Sequence, residues 1–289
     1  MGVFDGVHRG HRAMLAATRE AAGGGTASVA LVFDPHPDET LKPGTRVPRL
    51  TPPDVTLRLV VAEGISHPVL IPFDDALREL SAEDFLAALE PAIQLRWLVM
   101  SPESAFGRGR GGTAERMRQH GRDRGFEVLT VEPVSDDGAV ISSSGLRAAV
   151  AGGDLTTVRR LGRPAFLRGV VVEGDHRGRE LGFPTANLSF DYVPAMPPLG
   201  IYTGRVSVPE RGVGPGHPAL VSIGVRPTFH DKGQLLVEAY LLDFDGDLYG
   251  AVLELELHDH LRDELRFDSA DALVEQMRRD EQRARALLR

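Results

Sequence analysis

The sequence predicts two domains: a doubly wound α/β domain, with helices on both faces of a parallel sheet, and then a small antiparallel β-barrel that ends in a C-terminal helix. The chain has 289 residues, which is more than one ordinary domain needs. Strand-like and helix-like segments alternate in its first half, as in a parallel sheet. After about residue 160 the segments become closely spaced strands, several with alternating apolar and polar residues.

The first half contains four helix-like and four strand-like segments. The helix-like ones are GHRAMLAATREAAGGG, TPPDVTLRLVVAEG with Thr51 as N-cap, SAEDFLAALE with Ser81 as N-cap, and a stretch near 113–124. The strand-like ones are TASVALVF, HPVLIPF, RWLVM and FEVLTVEP. Ligands of such sheets gather at the carboxyl ends of the strands. We therefore expect a binding site at the loops GVFDGVHRGH, FDPHP and SPESAFGRGRGG.

The second half contains five strand-like segments: FLRGVVVEG, IYTGRVSV, ALVSIG, LLVEAYLLDF and LYGAVLELEL. The pair Asp245-Gly246 between the last two predicts a β-hairpin. The tail DSADALVEQMRRDEQRARALLR predicts a capped helix. Its arginines alternate with acids, which is typical of a solvated helix face rather than of nucleic-acid binding.

Composition excludes several classes of function. The chain has 41 acidic residues against 33 lysines and arginines, a net charge of −8, which argues against a general nucleic-acid binder. It has no cysteine, which excludes disulfides, thiolate zinc sites and cysteine nucleophiles and fits a cytoplasmic protein. No apolar run approaches the ~18 residues of a membrane span. We expect neither a nucleic acid nor a membrane as partner.

The opening stretch GVFDGVHRGH carries the first candidate site. His8 and His11 are three residues apart with Gly10 between them, which fits a loop running into a helix N-terminus that holds phosphates. Imidazoles there can donate hydrogen bonds to phosphate oxygens. Two alternatives stay open at this point. The histidines could be surface residues of a polar turn, or they could bind zinc together with His36.

The stretch GDHRGRELGFPTANL carries the second candidate site. Gly174, Gly178 and Gly182 permit a loop that closes on a nucleotide, and Arg177 and Arg179 can face its phosphates. Neutral oxygens for Mg²⁺ come from Thr185 and Asn187, although P-T-A-N alone could be a strand end with capping side chains.

Glu238 lies in an alternating strand downstream of that stretch. If it points into the apolar barrel, its burial is costly unless it is used, which suggests a general base. If it points outward, it is a solvated glutamate, and parity alone does not decide between these two orientations.

Taken together, GVFDGVHRGH, FDPHP, ISSSGLR and GDHRGRELGFPTANL resemble the bacterial bifunctional riboflavin kinase/FAD synthetase family. The resemblance implies riboflavin, FMN and ATP as substrates and Mg²⁺ as cofactor. It implies a nucleotidyltransferase domain over 1–155, in which His8 and His11 engage ATP phosphates, Asp5 belongs to the nucleotide site, and Ser143 and Arg147 close over the triphosphate. It also implies a riboflavin kinase domain over 160–289, in which Glu238 activates the ribityl 5′-hydroxyl.

The sequence departs from the family pattern in two places. The family has a strand of the type V-V-T-I-G leading into the opening motif, and we expect that strand to lie outside the given chain. Where relatives show a pattern like G-x-x-F-R-F-G, this chain has SPESAFG, with Ser101, Ser104 and Ala105 at the altered positions. We therefore expect impaired adenylyl transfer. The alternatives are a kinase with a degenerate first module, or a flavin-binding protein without turnover.

Overall fold

The computed structural model describes residues 1–174, 182–226 and 234–289. These residues form two compact units. The first comprises Met1–Val47 and Pro52–Ser143, and the second comprises Pro48–Thr51 and Ser144–Arg289. No helix in the described ranges is long and apolar enough to cross a membrane.

The first unit alternates helices and short strands, as the sequence predicts. In chain order its elements are α1 (Arg9–Ala22), β1 (Val29–Asp34), α2 (Pro37–Leu41), α3 (Pro53–Ala62), β2 (His67–Pro72), α4 (Asp75–Glu79), α5 (Ala82–Leu89), β3 (Trp97–Met100), β4 (Ala105–Phe106), β5 (Gly112–Thr113), α6 (Ala114–Arg124), β6 (Glu127–Thr130), β7 (Ser135–Asp136) and β8 (Ala139–Val140). Ser81 caps α5 by accepting a hydrogen bond from the amide of Asp84, as expected. The N-cap of α3 is Pro52 rather than Thr51, one residue later than predicted.

Helices pack on both faces of β1, which confirms the doubly wound architecture. Ala30 and Val32 pack in one cluster with residues of α1 and α3, including Leu15 and Val60. Leu31, on the opposite face, packs in a second cluster with residues of α5 and α6. The period of two along a strand places neighbouring residues on opposite faces, so β1 is buried from both sides.

The parallel strands of the first unit form two separate two-stranded sheets. β1 pairs with β2 from Val29 opposite His67 onward, and β3 pairs with β6. Within the described ranges, the other edge of β1 is paired at Gly2, which forms a parallel bridge to Val32. The amide of Gly2 donates to the carbonyl of Leu31 at 3.0 Å. A cavity of about 1030 Å³ adjoins this edge and is lined by apolar residues of β1, β2 and β3.

The second unit is built on a closed antiparallel barrel. Its elements are α7 (Ser143–Ala151, whose first residue belongs to the first unit), α8 (Leu155–Leu161), β9 (Ala165–Val172), β10 (Ala186–Ser189), β11 (Gly200–Val208), β12 (Val213–Arg226), β13 (Gln234–Leu241), β14 (Val252–Arg262) and α9 (Ala270–Leu287). The strand order is β10-β13-β12-β11-β14-β9. Fully buried aliphatic residues that alternate along the strands fill the interior, among them Leu167, Val221, Ile223, Val237, Ala239, Leu253 and Leu255. The terminal helix α9, capped by Ser269, packs on the outside through Ala284 and Leu288.

The hairpin predicted at Asp245-Gly246 is wrong. The strands on either side of it, β13 and β14, do not pair with each other. Both edges of β13 are taken by β10 and β12, and β14 lies between β11 and β9. The residues between β13 and β14 therefore form a crossover loop, which is free to contribute to a site.

Candidate active sites

The opening motif forms a strained turn that leads into α1. Phe4 and Val7 have left-handed backbone conformations, with φ of 52° and 38°, and Gly6 between them has φ of 75°. Such conformations cost about 1–3 kcal/mol each in non-glycine residues and persist where packing enforces them. Here Phe4 and Val7 are buried against residues of α1, β1 and α3. The core of the first unit therefore fixes the shape of this turn.

His8 and His11 form a stacked pair at the N-terminus of α1. His8 is the N-cap, and its Nδ1 accepts a hydrogen bond from the His11 amide at 3.4 Å. In the neutral form of His8 the proton is therefore on Nε2. The two rings stack with their centroids 3.7 Å apart. Burial, and secondarily the neighbouring His8, holds the pKa of His11 well below its ordinary value, so His11 is neutral at neutral pH.

Gly10 packs closely against this stack. A Cβ at that position would lie 3.1 Å from Cε1 of His8, so the ring would have to move by a few tenths of an ångström. Nδ1 of His11 is buried and has no hydrogen-bond partner in the described part of the chain. A buried nitrogen of this kind is costly unless a ligand satisfies it. His8 is buried and His11 is partly buried, so these histidines are not exposed residues of a surface turn.

Three further residues were predicted for this site: Asp5, Ser143 and Arg147. The hydroxyl of Ser143 donates to the backbone carbonyl of Asp5 at 3.0 Å, which joins the start of α7 to the opening turn. Asp5 is itself buried. Arg147 lies one turn further along α7, within the second unit, and donates to the Ser144 hydroxyl at 3.2 Å. The structure thus brings Asp5, His8, His11 and Ser143 together.

The zinc alternative has no support. Nδ1 of His36 accepts a hydrogen bond from the Asp38 amide at 3.1 Å and caps α2. The described residues contain no group of three or more His, Cys, Asp or Glu side chains placed to hold a metal ion.

The altered loop SPESAFG is closed by its own hydrogen bonds. The amide and the hydroxyl of Ser104 both donate to the Ser101 carbonyl, at 3.1 and 2.9 Å. Ala105 begins β4, which pairs with β5. Gly107, at φ of 73°, packs so tightly on the backbone of Ser81 and Ala82 that no Cβ fits there.

The second site is a row of polar residues across three barrel strands. Glu238 on β13 lies directly opposite Asn187 on β10 and opposite Ser222 on β12. The neighbours of Glu238 along the strand, Val237 and Ala239, are fully buried in the barrel. The row therefore lies on the outer face, which decides the orientation that the sequence left open. Glu238 is nevertheless half-buried rather than freely solvated.

The row is connected by one hydrogen bond and one tight contact. Oγ1 of Thr185 donates to Oε1 of Glu238 at 3.2 Å. Asn187 is 6% exposed, and its Oδ1 is buried without a hydrogen-bond partner in the described ranges. Gly174 lies against the Asn187 amide so closely that a Cβ would collide with it. An unsatisfied amide oxygen beside a hydroxyl oxygen fits a hard cation such as Mg²⁺ that also binds phosphate oxygens.

The structure describes only some of the other predicted residues of the GDHRGRELGFPTANL stretch. Gly182 has φ of 84°, a conformation that favours glycine. Arg177, Gly178 and Arg179 lie outside the described residues.

Sequence reasoning missed the crossover loop between β13 and β14. Together with Thr185 and Asn187, it lines a cavity of about 110 Å³ through residues that include Phe244, Asp247 and Tyr249. The segment DFDGDLYG was the available signal, but its Asp-Gly pair indicated a hairpin instead. This cavity lies on the β10 side of Glu238.

Comparisons with known proteins identify the family of this chain. The family model of FAD synthetase matches residues 1–145, and that of riboflavin kinase matches residues 161–288. A bifunctional riboflavin kinase/FMN adenylyltransferase of Pseudomonas fluorescens is 36% identical over 99% of this chain and 91% of its own length. This chain belongs to that family.

Other family members and a solved structure extend the match. The bifunctional riboflavin kinase/FMN adenylyltransferase of Listeria monocytogenes is 33% identical over 99% of this chain and 90% of its own length. A crystal structure from Streptococcus pneumoniae, described as a macrolide-efflux protein, superposes with a TM-score of 0.87 at 31% identity, covering 99% of this chain and 92% of that one. Its description names another activity, whereas its fold and sequence follow the same two-part plan.

Proposed function

We propose that this protein phosphorylates riboflavin to FMN and adenylylates FMN to FAD, with ATP as the second substrate of both reactions. The observation that carries the kinase assignment is the outer-face row, in which Thr185 donates to Glu238 beside the unsatisfied Oδ1 of Asn187. One oxygen of the carboxylate is thereby oriented by Thr185. Within the described ranges the other accepts no hydrogen bond, and it can take up a proton.

In the kinase reaction Glu238 acts as general base. The ribityl 5′-oxygen attacks the γ-phosphorus of ATP, its proton passes to the free oxygen of Glu238, and ADP leaves on the opposite side. Thr185 and Asn187 would hold Mg²⁺ together with phosphate oxygens. The cation, when bound, neutralises charge on the β- and γ-phosphates.

The adenylyl transfer makes different demands. A phosphate oxygen of FMN attacks the α-phosphorus of ATP, and pyrophosphate leaves. Because that oxygen is already anionic, no base is needed. The site needs donors that stabilise the charge and hold the triphosphate. His8 at the N-terminus of α1 and the neutral His11 stacked on it suit this role, with Asp5 and Ser143 of the same unit completing the nucleotide site.

We assign the adenylyl transfer to residues 1–155 and the kinase to residues 160–289. The closed barrel and α9 support a second domain that folds by itself, because the described strands of the barrel all have partners on both edges. A fragment of residues 160–289 should remain soluble and make FMN. An insoluble or inactive fragment would argue that the two parts form one folding unit.

The direct test is incubation of the purified protein with riboflavin, ATP and MgCl₂, followed by chromatography of the flavins and assays of ADP and pyrophosphate. We expect FMN with ADP, and then FAD with pyrophosphate. FMN without FAD would indicate a kinase with a degenerate first domain. Flavin binding without either product would overturn both assignments.

A further inference from the structure

The helix α9 carries a buried carboxylate that the reactions above do not use. The side chain of Asp280 is 6% exposed. Its Oδ2 accepts from Nε and Nη2 of Arg262, at 2.9 and 2.7 Å, and its Oδ1 accepts from Nε2 of Gln276 at 2.9 Å. A buried ion pair contributes little net stability because both charges lose their hydration. Its geometry therefore points to a role in positioning.

Arg262 reaches both ends of the segment between β14 and α9. We call this segment, Asp263–Asp268, the connector. Nη1 of Arg262 donates to the backbone carbonyl of Asp263 at 2.9 Å. Its guanidinium carbon lies 6.0 Å from the centre of the Phe267 ring, within the range of a cation–π contact. The connector has neither helix nor strand structure, so these contacts help to set its course.

The connector lies beside the proposed kinase site. The carboxylate of Glu264 occupies the space that a Cβ at Gly224 would need. Gly224 is two residues along β12 from Ser222, the strand partner of Glu238. Residues two apart share a face and are about 7 Å apart along a strand. The connector therefore covers the outer face of β12 next to the proposed base.

The in-line geometry of phosphoryl transfer indicates which substrate lies next to the connector. The attacking and leaving oxygens stand on opposite sides of the transferred phosphorus. The cavity lined by Thr185 and Asn187 lies on the β10 side of Glu238, which leaves the β12 side for the acceptor. An acceptor that presents its hydroxyl to Glu238 from the β12 side lies next to the connector, whose Glu264 packs on Gly224.

We infer that Asp280 is a positioning residue for the flavin substrate: through Arg262 it fixes the connector as the wall of the acceptor site. This inference rests on the proposed kinase activity. Asp280 touches no substrate. Its effect is expected in the affinity for riboflavin and not in the phosphoryl transfer itself.

The test compares full-length Asp280→Asn with the wild-type protein. The asparagine side chain is nearly isosteric with aspartate but lacks the negative charge that holds Arg262. We expect the KM for riboflavin and the Kd from riboflavin fluorescence to rise about tenfold. The KM for ATP and kcat at saturating riboflavin should stay within about twofold. Asp280→Glu, which keeps the carboxylate, should recover part of the riboflavin affinity.

Two further variants keep the test decisive. Glu275→Gln breaks an exposed ion pair with Arg279 on the same helix and should leave both KM values unchanged. Arg262→Lys keeps the charge but loses the two-pronged contact, and should repeat the riboflavin defect if Asp280→Asn fails to fold. An unchanged riboflavin KM in a folded variant, or a parallel loss of kcat and of ATP affinity, would overturn the inference. If the wild-type protein makes no FMN, the proposed function itself fails.

Discussion

Oγ1 of Thr185 donates a hydrogen bond to Oε1 of Glu238, joining the residue before β10 to the middle of β13 at 3.2 Å. This bond orients the carboxylate. It also joins a proposed metal ligand to the proposed base, so that proton removal and phosphate binding occur at neighbouring atoms.

Replacing Glu238 with glutamine tests the base directly. The amide keeps the size of the side chain but cannot accept the proton. We expect kcat of the kinase to fall by about 10²-fold or more, while riboflavin binding changes little. Steady-state kinetics together with a fluorescence titration measure both quantities. Turnover near the wild-type rate would show that another group removes the proton.

Gly174→Ala tests the packing behind the metal ligands. The added methyl group would collide with the Asn187 amide and displace it from the row. We expect the KM for MgATP to rise about tenfold, with partial recovery at higher Mg²⁺ concentration. Gly214→Ala is the matched control, because no atom lies within 4 Å of the added methyl group there. A defect confined to riboflavin affinity would contradict the assignment of Asn187.

Gly10→Ala tests the histidine pair. Its methyl group would lie 3.1 Å from the His8 ring and shift it, while alanine favours the helix that begins there. We expect FAD formation to fall by about tenfold or more, with FMN formation unchanged. Gly25→Ala, which meets no atom within 4 Å, serves as the control. Equal losses of both activities would indicate a general folding defect instead.

The neutral state of His11 predicts how the stability of the first unit depends on pH. The unfolded chain binds a proton at His11 near the ordinary histidine pKa of 6.5, whereas the folded chain does so only at much lower pH. Acidification below about pH 6.5 therefore favours the unfolded chain, and the stability contributed by neutral His11 is lost as pH falls. The melting temperature should drop between about pH 7.5 and about pH 5.5 by less in His11→Gln than in the wild-type protein. Parallel pH profiles of the two proteins would contradict this account.

The sequence predicted the longer helices and strands of the first unit, because caps and apolar periods are local signals, but it missed α2, α4 and the two-residue strands. The cap at Ser81 and the β1 run VALVF could be assigned without knowing which residues pack against them. The hairpin at Asp245-Gly246 failed because a turn signal cannot reveal that both edges of β13 are already occupied.

The candidate site, too, could be predicted from the sequence only in part. The residue types of the site could be predicted, since Thr185, Asn187 and Glu238 stand in a distinctive pattern. The face on which Glu238 lies could not be predicted, because an alternating strand has two faces and only closure of the barrel decides which of them is inside. Ser222 carried no signal at all in the sequence, since its place depends on strand register.

The outward orientation of Glu238 has a consequence for how this enzyme can change. Along β13, Val237, Ala239 and Leu241 lie inside the barrel, while Glu238 and Tyr240 between them lie on its outer face. The apolar interior and the proposed base are thus encoded at alternate positions of one strand. Volume-conserving exchanges in the barrel interior can adjust the working temperature of the kinase and leave its chemistry intact. Substitutions outside the active site can therefore adapt this protein to a hotter or colder environment.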